Sequence, residues 1–597
     1  MANFEVNNVS ISTLLGYVTD GTIAIPEIQR PFVWDTKKVR DLVDSLYKGY
    51  PVGYIITWKS ANIKLKDGSS SEGKQILIDG QQRITALTAA FLGMEVLNDE
   101  YKKHRVKISF NLKNESFATH TPSLENSSEW ISDISLLLKE GADIYSIAKK
   151  YSDDNTMDIS KVFSTIQKVQ KMKNTQIGRI DIASSVDVDT VTEIFIRINS
   201  KGVSLSQADF VMSKISVNEK YEGNDIRKVI DYFCHIIKIP NDYSVIKERD
   251  VEFSSKDIFS KLSWLNGYSD NLYKPSYIDA LRVSFTSKFK RGKLQDLVAL
   301  LSGRDFELRT NTEEIAEESF KTLYDGVKDF INETNYKRFM MIIKSTGVID
   351  ESLIRSQNTI NFAYILYLLL KEKQFQPEKM EKIVRQWFIL SILTQRYSSS
   401  PESQFDSDVR RFNEVDNIEE YVKNTISGSL SDAFWDNILI DKLDTAGTNS
   451  PYWKLYMASL IKGGAKGFLS TGIRVEDLHK ERGDIHHIFP KDYLVKSGIN
   501  DKRRYNQIAN YVLMQSEVNI QVGNKAPKDY FSILQQQIDS NETRYGGIIS
   551  NDELKNNLSD NCIPNEISSM SYHEYEEFLI MRRKLMASRM KDYFNNL

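Results

Sequence analysis

Two periods of apolar and polar positions alternate along the first 220 residues. In "TKKVRDLVDSLYKG", apolar residues recur at three- and four-residue spacing from Val39 to Tyr47, as on one face of a helix. Asp35 or Thr36 is available as its N-cap, and Gly49 follows its end. The β-rich runs "TIAIPEI", "VGYIITW" and "KQILI" surround this helix, and "ITALTAAFLGM" predicts a second helix. Alternating strands and helices predict an α/β region.

The pattern changes near residue 220 to long helical segments such as "NFAYILYLLLKEK" and "EKIVRQWFILSILTQRY", with few strand signals up to about residue 425. Gly-rich and polar segments with short elements follow, and "EYEEFLIMRRKLMASRMKDYF" predicts a closing polar helix. The predicted fold class is therefore α+β and multidomain. We expect an N-terminal α/β domain at residues 1–220, a helical connector domain at 221–425 and a C-terminal domain at 426–597.

Composition narrows the possible partners. The 597 residues carry 78 basic and 81 acidic side chains, a net charge of −3, so any contact with nucleic acid needs a local basic groove. Cys234 and Cys562 lie far apart, which excludes a disulfide framework and predicts two incidental thiols in a reducing cytoplasm. The longest strongly apolar run, from Phe362 to Leu370, is too short to cross a bilayer, and the N-terminus lacks the pattern of a signal peptide. These features predict a cytoplasmic protein with no membrane role.

A first candidate site lies in "ILIDGQQRITALTAAF", which predicts a strand, a tight turn at Asp79 and Gly80, and a helix that begins with Gln81, Gln82 and Arg83. Free backbone N–H groups and the helix dipole favour an anion at such a start, and an arginine adds charge. The alternative is structural: Asp79 and Gln82 form a variant of the capping box, and Arg83 makes a salt bridge. The chain has no Walker motif, so an ordinary P-loop NTPase is not supported.

Two further stretches have both a functional and a structural interpretation. In "IPEIQRPFVWDTKKV", Gln29 and Arg30 stand beside Phe32 and Trp34, and such a cluster can clamp a phosphate and stack on a base. The simpler interpretation makes the two aromatic residues core anchors and the arginine a surface residue. In "IFIRINSKGVSLSQADF", turn chemistry explains the Asn, Ser and Gly of residues 197–202 without any ligand.

The second candidate site combines the adjacent His486 and His487 with Asn510 and Asn519. A one-metal nuclease needs one or two side chains that hold a cation on the scissile phosphate and a neutral imidazole that takes a proton from water. Histidine suits the base, since its unperturbed pKa is about 6.5, and asparagine is a neutral oxygen ligand suited to Mg²⁺ or Mn²⁺. Asp484 either orients one imidazole or is a turn residue. The alternative is a surface histidine pair that caps "IFP".

This pattern of His-His, Asn and Asn resembles the HNH, or ββα-metal, nuclease fold. The resemblance implies that His486 is a metal ligand, His487 the general base, Asn510 a brace of the loop and Asn519 the second metal ligand. Pro490 stands where that family usually has a proline after the pair. The chain departs from HNH members with zinc knuckles, because no cysteine lies near the motif.

The three N-terminal motifs, "IPEIQRPFVW", "LIDGQQRITAL" and "IFIRINSKGVSLS", resemble in this order the ParB-like N-terminal domain of GmrSD-type proteins. In that family the domain binds and hydrolyses nucleoside triphosphates and takes part in sensing DNA modification, which implies GTP or ATP as a cofactor. By position, the resemblance implies a nucleotide pocket formed by Gln29, Arg30, Asp79, Gly80, Gln81, Gln82 and Arg83.

Between the two ends, "WFILSILTQRYSSSPESQFDSDVRRF" resembles the helical connector of the same family. Arg396 and Tyr397 are candidates for contact with a DNA backbone, whereas Trp387, Phe388 and neighbouring apolar residues are predicted core.

The whole chain thus resembles fused, single-chain GmrSD enzymes, which are type IV restriction endonucleases. This implies a nucleotide-regulated HNH endonuclease that cleaves modified double-stranded phage DNA, for example with hydroxymethylated or glucosylated cytosine, as a homodimer. Two alternatives stay open: a phosphorothioate-sensing NTPase and nicking nuclease, and a nucleotide-switched DNA-binding protein with an inactive HNH domain. An RNA-directed toxin is a further alternative.

Overall fold

The computed structural model describes residues 4–24, 34–59, 75–97, 103–186, 194, 207–216, 218, 220–308, 310, 312–481, 485–540 and 542–597. The fold is α+β, with small sheets and many helices, as the sequence predicts. The chain divides into two compact units, residues 1–256 and 257–597. The domain boundaries at residues 220 and 425 stay predictions.

The first unit contains ten described strands. They are β1 (Phe4–Ser10), β2 (Ile23–Ala24), β3 (Tyr54–Lys59), β4 (Gln75–Asp79), β5 (Glu95–Leu97), β6 (Lys103–Arg105), β7 (Ile108–Asn111), β8 (Ser116–Thr119), β9 (Trp130–Ile131) and β10 (Gln176–Ile182). Five of them form a mixed sheet in the order β1-β10-β3-β4-β2, in which β10 pairs with β3 and β4 with β2 in parallel. β5 and β6 form a hairpin, and β7 pairs with both β8 and β9.

Helices α1 to α11 complete the described part of this unit. Their bounds are Ile11–Thr19, Thr36–Tyr47, Gln81–Leu87, Pro122–Glu125, Ser135–Leu138, Ile144–Asn155, Ile159–Lys171, Gln207–Ser216, Gly223–Ile236, Asp242–Arg249 and Val251–Ser254. A π-helical turn at Thr88–Leu92 extends α3. The predicted helix α2 is confirmed, and Asp35 is its N-cap, because its carboxylate accepts a hydrogen bond from the Lys38 N–H at 2.8 Å.

The five-stranded sheet is apolar on both faces. Ile55 and Leu77 belong to the large core that also contains α1 and α2. Ile56, Trp58 and Ile182 point the other way, as alternation along a strand requires, and form a smaller cluster. Burial on both faces explains why the strand segments read as short continuous apolar runs.

The second unit is mainly helical. Helices α12 to α29 span Asp257–Ser260, Tyr277–Phe289, Leu294–Leu300, Glu313–Ile331, Glu333–Lys344, Gln357–Glu372, Pro377–Leu393, Pro401–Glu414, Ile418–Ser429, Leu439–Lys442, Pro451–Lys462, Val475–Lys480, Lys491–Lys496, Lys502–Tyr505, Ser516–Val522, Pro527–Ser540, Asn551–Asp560 and Tyr575–Asn595. Its two described strands are β11 (Ile485–His487) and β12 (Tyr511–Leu513). Among all described residues, no helix is both long and apolar enough to cross a membrane. Both cysteines are free and buried, as predicted.

Arg396 and Tyr397 do not fit the predicted role in contacting a DNA backbone. The Arg396 guanidinium binds both carboxylate oxygens of Asp408, at 2.7 and 2.5 Å, and the Tyr397 hydroxyl donates to the same carboxylate at 2.9 Å. Asp408 is fully buried and Tyr397 nearly so. These polar groups therefore neutralise one another inside the helical core, where Trp387 and Phe388 are also buried as predicted.

The closing helix α29 is not the polar surface helix that its sequence suggests. Ten of its side chains are buried, among them Tyr575, Phe578 and Met586. Arg582 is fully buried, and its guanidinium donates to the carbonyls of Ala509 at 2.9 Å and Asn561 at 3.2 Å. A segment with many charged residues is therefore a core helix, because backbone carbonyls accept hydrogen bonds from two of the three nitrogens of the buried Arg582 guanidinium.

Candidate functional site

The His-His pair lies at the end of the first strand of a short antiparallel hairpin. His486 is opposite Val512 and His487 is opposite Tyr511 in the ladder of β11 and β12. Helix α26 follows β12 after two residues and carries Asn519. The chain order at this site is therefore strand, strand, helix, with all four predicted residues on these elements or, for Asn510, directly before β12.

Asn510 fastens the loop after the histidine pair. Its side-chain oxygen accepts a hydrogen bond from the Phe489 N–H at 2.8 Å, and its amide donates to the carbonyls of Phe489 at 3.1 Å and Tyr505 at 3.2 Å. Its own carbonyl accepts from the Ile488 N–H at 2.8 Å. Asn510 is fully buried, so each of these bonds satisfies a group that water cannot reach.

Two surrounding helices hold the same loop from outside. The Tyr530 hydroxyl on α27 donates to the Ile488 carbonyl at 3.1 Å. From α29, Arg582 binds the Ala509 carbonyl and the Tyr575 hydroxyl donates to the Arg504 carbonyl at 2.9 Å. The backbone around the hairpin is thus fixed by side chains of the core and not by the two short strands alone.

His487 is a half-buried imidazole with a defined partner. Its Nε2 and the Asn506 side-chain oxygen are 3.0 Å apart, so Nε2 carries the proton and Nδ1 stays free to accept one. Its ring meets the Tyr511 ring edge to face, with centroids 5.0 Å apart. Burial lowers the pKa of His487 from its usual value, the bond to Asn506 opposes this, and the charge of Lys491 adds to the lowering. The imidazole is therefore neutral at neutral pH.

Sequence reasoning did not find Asn506. A signal was present, since "NQIAN" places a second asparagine four positions before Asn510, but nothing in the one-dimensional pattern relates Asn506 to His487, nineteen positions earlier. The contact exists because α25 and the following turn return the chain to the end of β11.

His486 is 8% exposed and occupies the face of the hairpin opposite to His487. Two adjacent histidines that serve one pocket would need a bend in the backbone, but the ladder is regular here, because both hold consecutive register positions and Ile488 continues the hydrogen bonds. The described residues include no group of three or more His, Cys, Asp or Glu that could hold a metal ion. A set of one imidazole and one half-buried amide, His486 and Asn519, fits only an ion that retains several waters, such as Mg²⁺ or Mn²⁺.

The N-terminal candidate forms a tight strand-to-helix turn. β4 ends at Asp79, and Gly80 takes the N-cap position of α3 with φ of 100°, in the left-handed region. A Cβ at Gly80 would also lie 3.1 Å from the Ile55 side chain, so only glycine fits here. The N-cap is thus Gly80, which has no side chain to make the cap that the structural alternative predicted. Gln82 is buried and Gln81 is half-buried.

Arg83 makes the salt bridge of the structural alternative. Its Nη2 lies 3.2 Å from the Asp79 carboxylate, and its Nη1 donates to the Tyr54 carbonyl. Gly53 gives the guanidinium room, since a Cβ there would lie 3.0 Å from Nη1. Both charged side chains keep some exposure, 21% for Arg83 and 24% for Asp79, so the pair is held in place yet accessible to a ligand.

Several predicted residues lie outside the described part of the chain. They are Gln29, Arg30, Phe32, residues 197–202 and Asp484. Trp34 is described, and its half-buried side chain packs against the large core, in agreement with the structural interpretation of that aromatic residue.

The N-terminal part of the chain is similar to a known family. Residues 11–216 match the family described as the GmrSD restriction endonuclease, N-terminal domain. The match covers less than half of the chain and shows that this segment is similar to a domain of a restriction endonuclease family.

A relative of similar length also exists. The uncharacterized protein MJ0686 of Methanocaldococcus jannaschii is 20% identical over an alignment 647 positions long, which covers 96% of this chain and 96% of that protein. The similarity therefore extends across both compact units.

Proposed function

We propose that the protein is a nucleotide-regulated, metal-dependent HNH endonuclease that cleaves modified double-stranded phage DNA. The observation that carries this proposal is the hairpin with its helix, in which Asn510 braces the loop that follows His486 and His487. The match of residues 11–216 to a restriction endonuclease domain supports DNA as the substrate.

In this proposal His487 is the general base. Its pKa is lowered by burial, so the imidazole is neutral where a base must be, and its bond to Asn506 leaves Nδ1 to take the proton of the attacking water. Asn510 keeps the loop rigid, so that the ring does not have to be reoriented during the reaction.

His486 and Asn519 would hold one Mg²⁺ or Mn²⁺ ion. When bound, such an ion supplies charge stabilisation at the scissile phosphate. Within the described chain β11 pairs with β12 alone, so a phosphate at the other edge of β11 could be approached by one imidazole from each face of the strand. In this way two histidines on opposite faces of a regular strand can act on the same phosphate.

The turn from Asp79 to Arg83 is the proposed nucleotide site, together with Gln29 and Arg30. An accessible arginine beside the start of α3 suits the phosphates of GTP or ATP. We propose that nucleotide binding here regulates cleavage, that the protein is cytoplasmic, and that it acts as a homodimer, because cutting both strands with a single-metal centre is simplest with two active sites.

The central test uses purified protein with unmodified, hydroxymethylcytosine, glucosylated and phosphorothioate plasmid DNA, with Mg²⁺ or Mn²⁺, and with GTP, ATP or neither. We expect metal-dependent cleavage of a cytosine-modified DNA, lowered at least about a hundredfold by His487→Ala through loss of the base. Full cleavage by His487→Ala would refute the catalytic assignment.

The roles of the two histidines can be separated. His486→Asp keeps an oxygen ligand for a hard cation and is expected to retain more activity than His487→Asp, whose carboxylate is a weak base. The opposite order would reverse the two roles. Cleavage confined to phosphorothioate DNA would favour the phosphorothioate-sensing alternative, and binding without any nicking would favour the inactive nuclease.

A further inference from the structure

A groove of about 1090 Å³ opens in the second unit between α22, α28 and α29. Its charged lining consists of Lys462, Lys555, Lys584, Arg589, Glu566 and Asp592. Positive side chains therefore predominate, although the whole chain has a net charge of −3.

A second groove, of about 490 Å³, adjoins the first and shares Lys555 and Asn565 with it. It adds Lys528 and no carboxylate. The two together, called here the basic groove, bring five cationic side chains against two carboxylates, an excess of three positive charges. This is the local basic groove that a chain of negative net charge needs for contact with nucleic acid.

The lysines of the basic groove form no ion pair within the described chain, so its excess positive charge stays available to a ligand. The four lysines are exposed, and none of them forms an ion pair with a described residue, whereas nearby Lys591 pairs with Asp432 at 2.8 Å. Arg589 Nε is buried without a hydrogen-bond partner among described residues, and Arg589 Nη2 donates a long hydrogen bond, of 3.5 Å, to the Ser459 carbonyl. Such unpaired, clustered cations favour a polyanionic ligand.

One helix connects the basic groove to the hairpin. Near its start, the Phe578 ring of α29 packs on the Phe489 ring, with centroids 4.9 Å apart, and further along it supplies Lys584 and Arg589 to the groove. From Tyr575 to Arg589 the helix rises about 20 Å, the length of about 6 base pairs of duplex DNA. A duplex cut at the hairpin could therefore lie along the basic groove.

We infer that the basic groove binds the phosphate backbone of duplex DNA beside the cleavage site, about half a helical turn from the hairpin. This inference rests on the proposed function. The lysines contact phosphates, which carry no sequence information, so the groove adds affinity and register without reading the modified base.

The test measures binding of the full-length protein to a fluorescent duplex of about 30 bp in EDTA, so that no cleavage is needed. In Lys555→Gln/Lys584→Gln, the Kd is expected to rise about tenfold. The slope of log Kd against log salt should fall by about 2, because each phosphate that a lysine neutralises contributes about 0.9 to it. Unmodified and hydroxymethylcytosine duplexes should be affected equally. The matched control is Lys382→Gln/Lys423→Gln, which removes two exposed lysines of α18 and α20 that form no ion pair with a described residue.

The outcomes separate this inference from the proposed function. If the double variant has a higher Kd and a smaller salt slope, but the native protein never nicks DNA, the inference of a DNA-binding groove is supported and the proposed nuclease function is refuted. Unchanged Kd and slope would overturn the groove even if cleavage were normal, and so would an effect confined to modified DNA. If the protein cleaves, single-turnover cleavage at saturating DNA should keep its rate in the double variant, because the lysines act on binding.

Discussion

The bond between His487 and Asn506 gives the sharpest prediction. Asn506→Ala removes the acceptor that holds the Nε2 proton, and a hydrogen bond of this kind contributes about 1 kcal/mol. Without it the imidazole samples the other neutral tautomer and other ring orientations. We expect kcat to fall about fivefold to tenfold at about pH 7.5, with KM unchanged, since DNA does not need this bond in order to bind.

Asn506→Asp tests the same contact through charge. A carboxylate about 3 Å from Nε2 favours the imidazolium, and two unit charges about 4 Å apart interact by about 4 kcal/mol at an effective dielectric constant of about 20, an upper limit of about 3 pKa units. We therefore expect the pKa of His487 to rise in this variant, by less than that limit because the ring is only half-buried.

The sign of the pH effect follows from the role of a base. In the proposed mechanism His487 is a general base, which works when neutral, so we expect cleavage to rise with pH through the pKa of His487; burial lowers this pKa from its usual value. In Asn506→Asp the rise of cleavage with pH should move to higher pH, because the carboxylate raises the pKa of His487. In Asn506→Ala the rise should not move to higher pH, because the bond to Asn506, which raises that pKa in the native protein, is removed. The two variants therefore shift the pH profile differently while both lower the rate at neutral pH.

Two assays check these expectations. The first is the pH dependence of kcat for metal-dependent cleavage, and the second is the ¹⁵N NMR spectrum of histidine-labelled protein, in which His487 is identified by comparison with His487→Gln and its tautomer is read directly. Asn500→Ala, an exposed asparagine of the same segment, is the control. The role of Asn506 would be refuted if both of its variants kept the native tautomer and the native pH profile.

Three further predictions concern other parts of the molecule. Asn510→Ala removes three side-chain hydrogen bonds in a fully buried position and should lower the free energy of unfolding by about 3 kcal/mol in urea denaturation; a decrease below about 1 kcal/mol would contradict the bracing role. Asp408→Asn should lower the free energy of unfolding, measured in the same assay, by about 3 to 5 kcal/mol, because the Arg396 guanidinium then keeps its charge without a carboxylate partner. Arg83→Ala should weaken GTP or ATP binding in calorimetry with an unchanged near-UV spectrum, and equal affinity would remove the nucleotide assignment.

Local signals were sufficient for the elements that form by local rules. The spacing of Val39, Leu42 and Leu46 predicted α2, and the cap at Asp35 was one of the two residues expected. Gly80 was correctly placed in a turn, because a glycine between an apolar run and a helical pattern usually marks one. These features depend on residues a few positions apart, which a single sequence displays.

Features that depend on distant residues were mostly not predictable. Arg396 and Tyr397 look like surface groups until Asp408, on the next helix, pairs with the guanidinium and accepts a hydrogen bond from the phenol. Nothing in the sequence indicates that Arg582 finds its acceptors at Ala509 and Asn561, so α29 looked polar. In both cases a charged side chain is buried because its partners are supplied by the tertiary fold.

The conformation of the His486–His487 pair depends both on local sequence and on distant residues. Adjacent histidines that serve one pocket would need a bend, yet the ladder from His486 to Ile488 is regular, and alternation leaves the imidazoles on opposite faces. In the proposed function a regular strand suffices, because a phosphate bound at the other edge of β11 would be approached by one imidazole from each face. No strained bend is needed, because hydrogen bonds hold the site without distorting the strand: Asn510 fixes the loop after the histidines, and Asn506 fixes the His487 ring. Changes that unpair β11 from β12 should therefore abolish cleavage even when both histidines are retained.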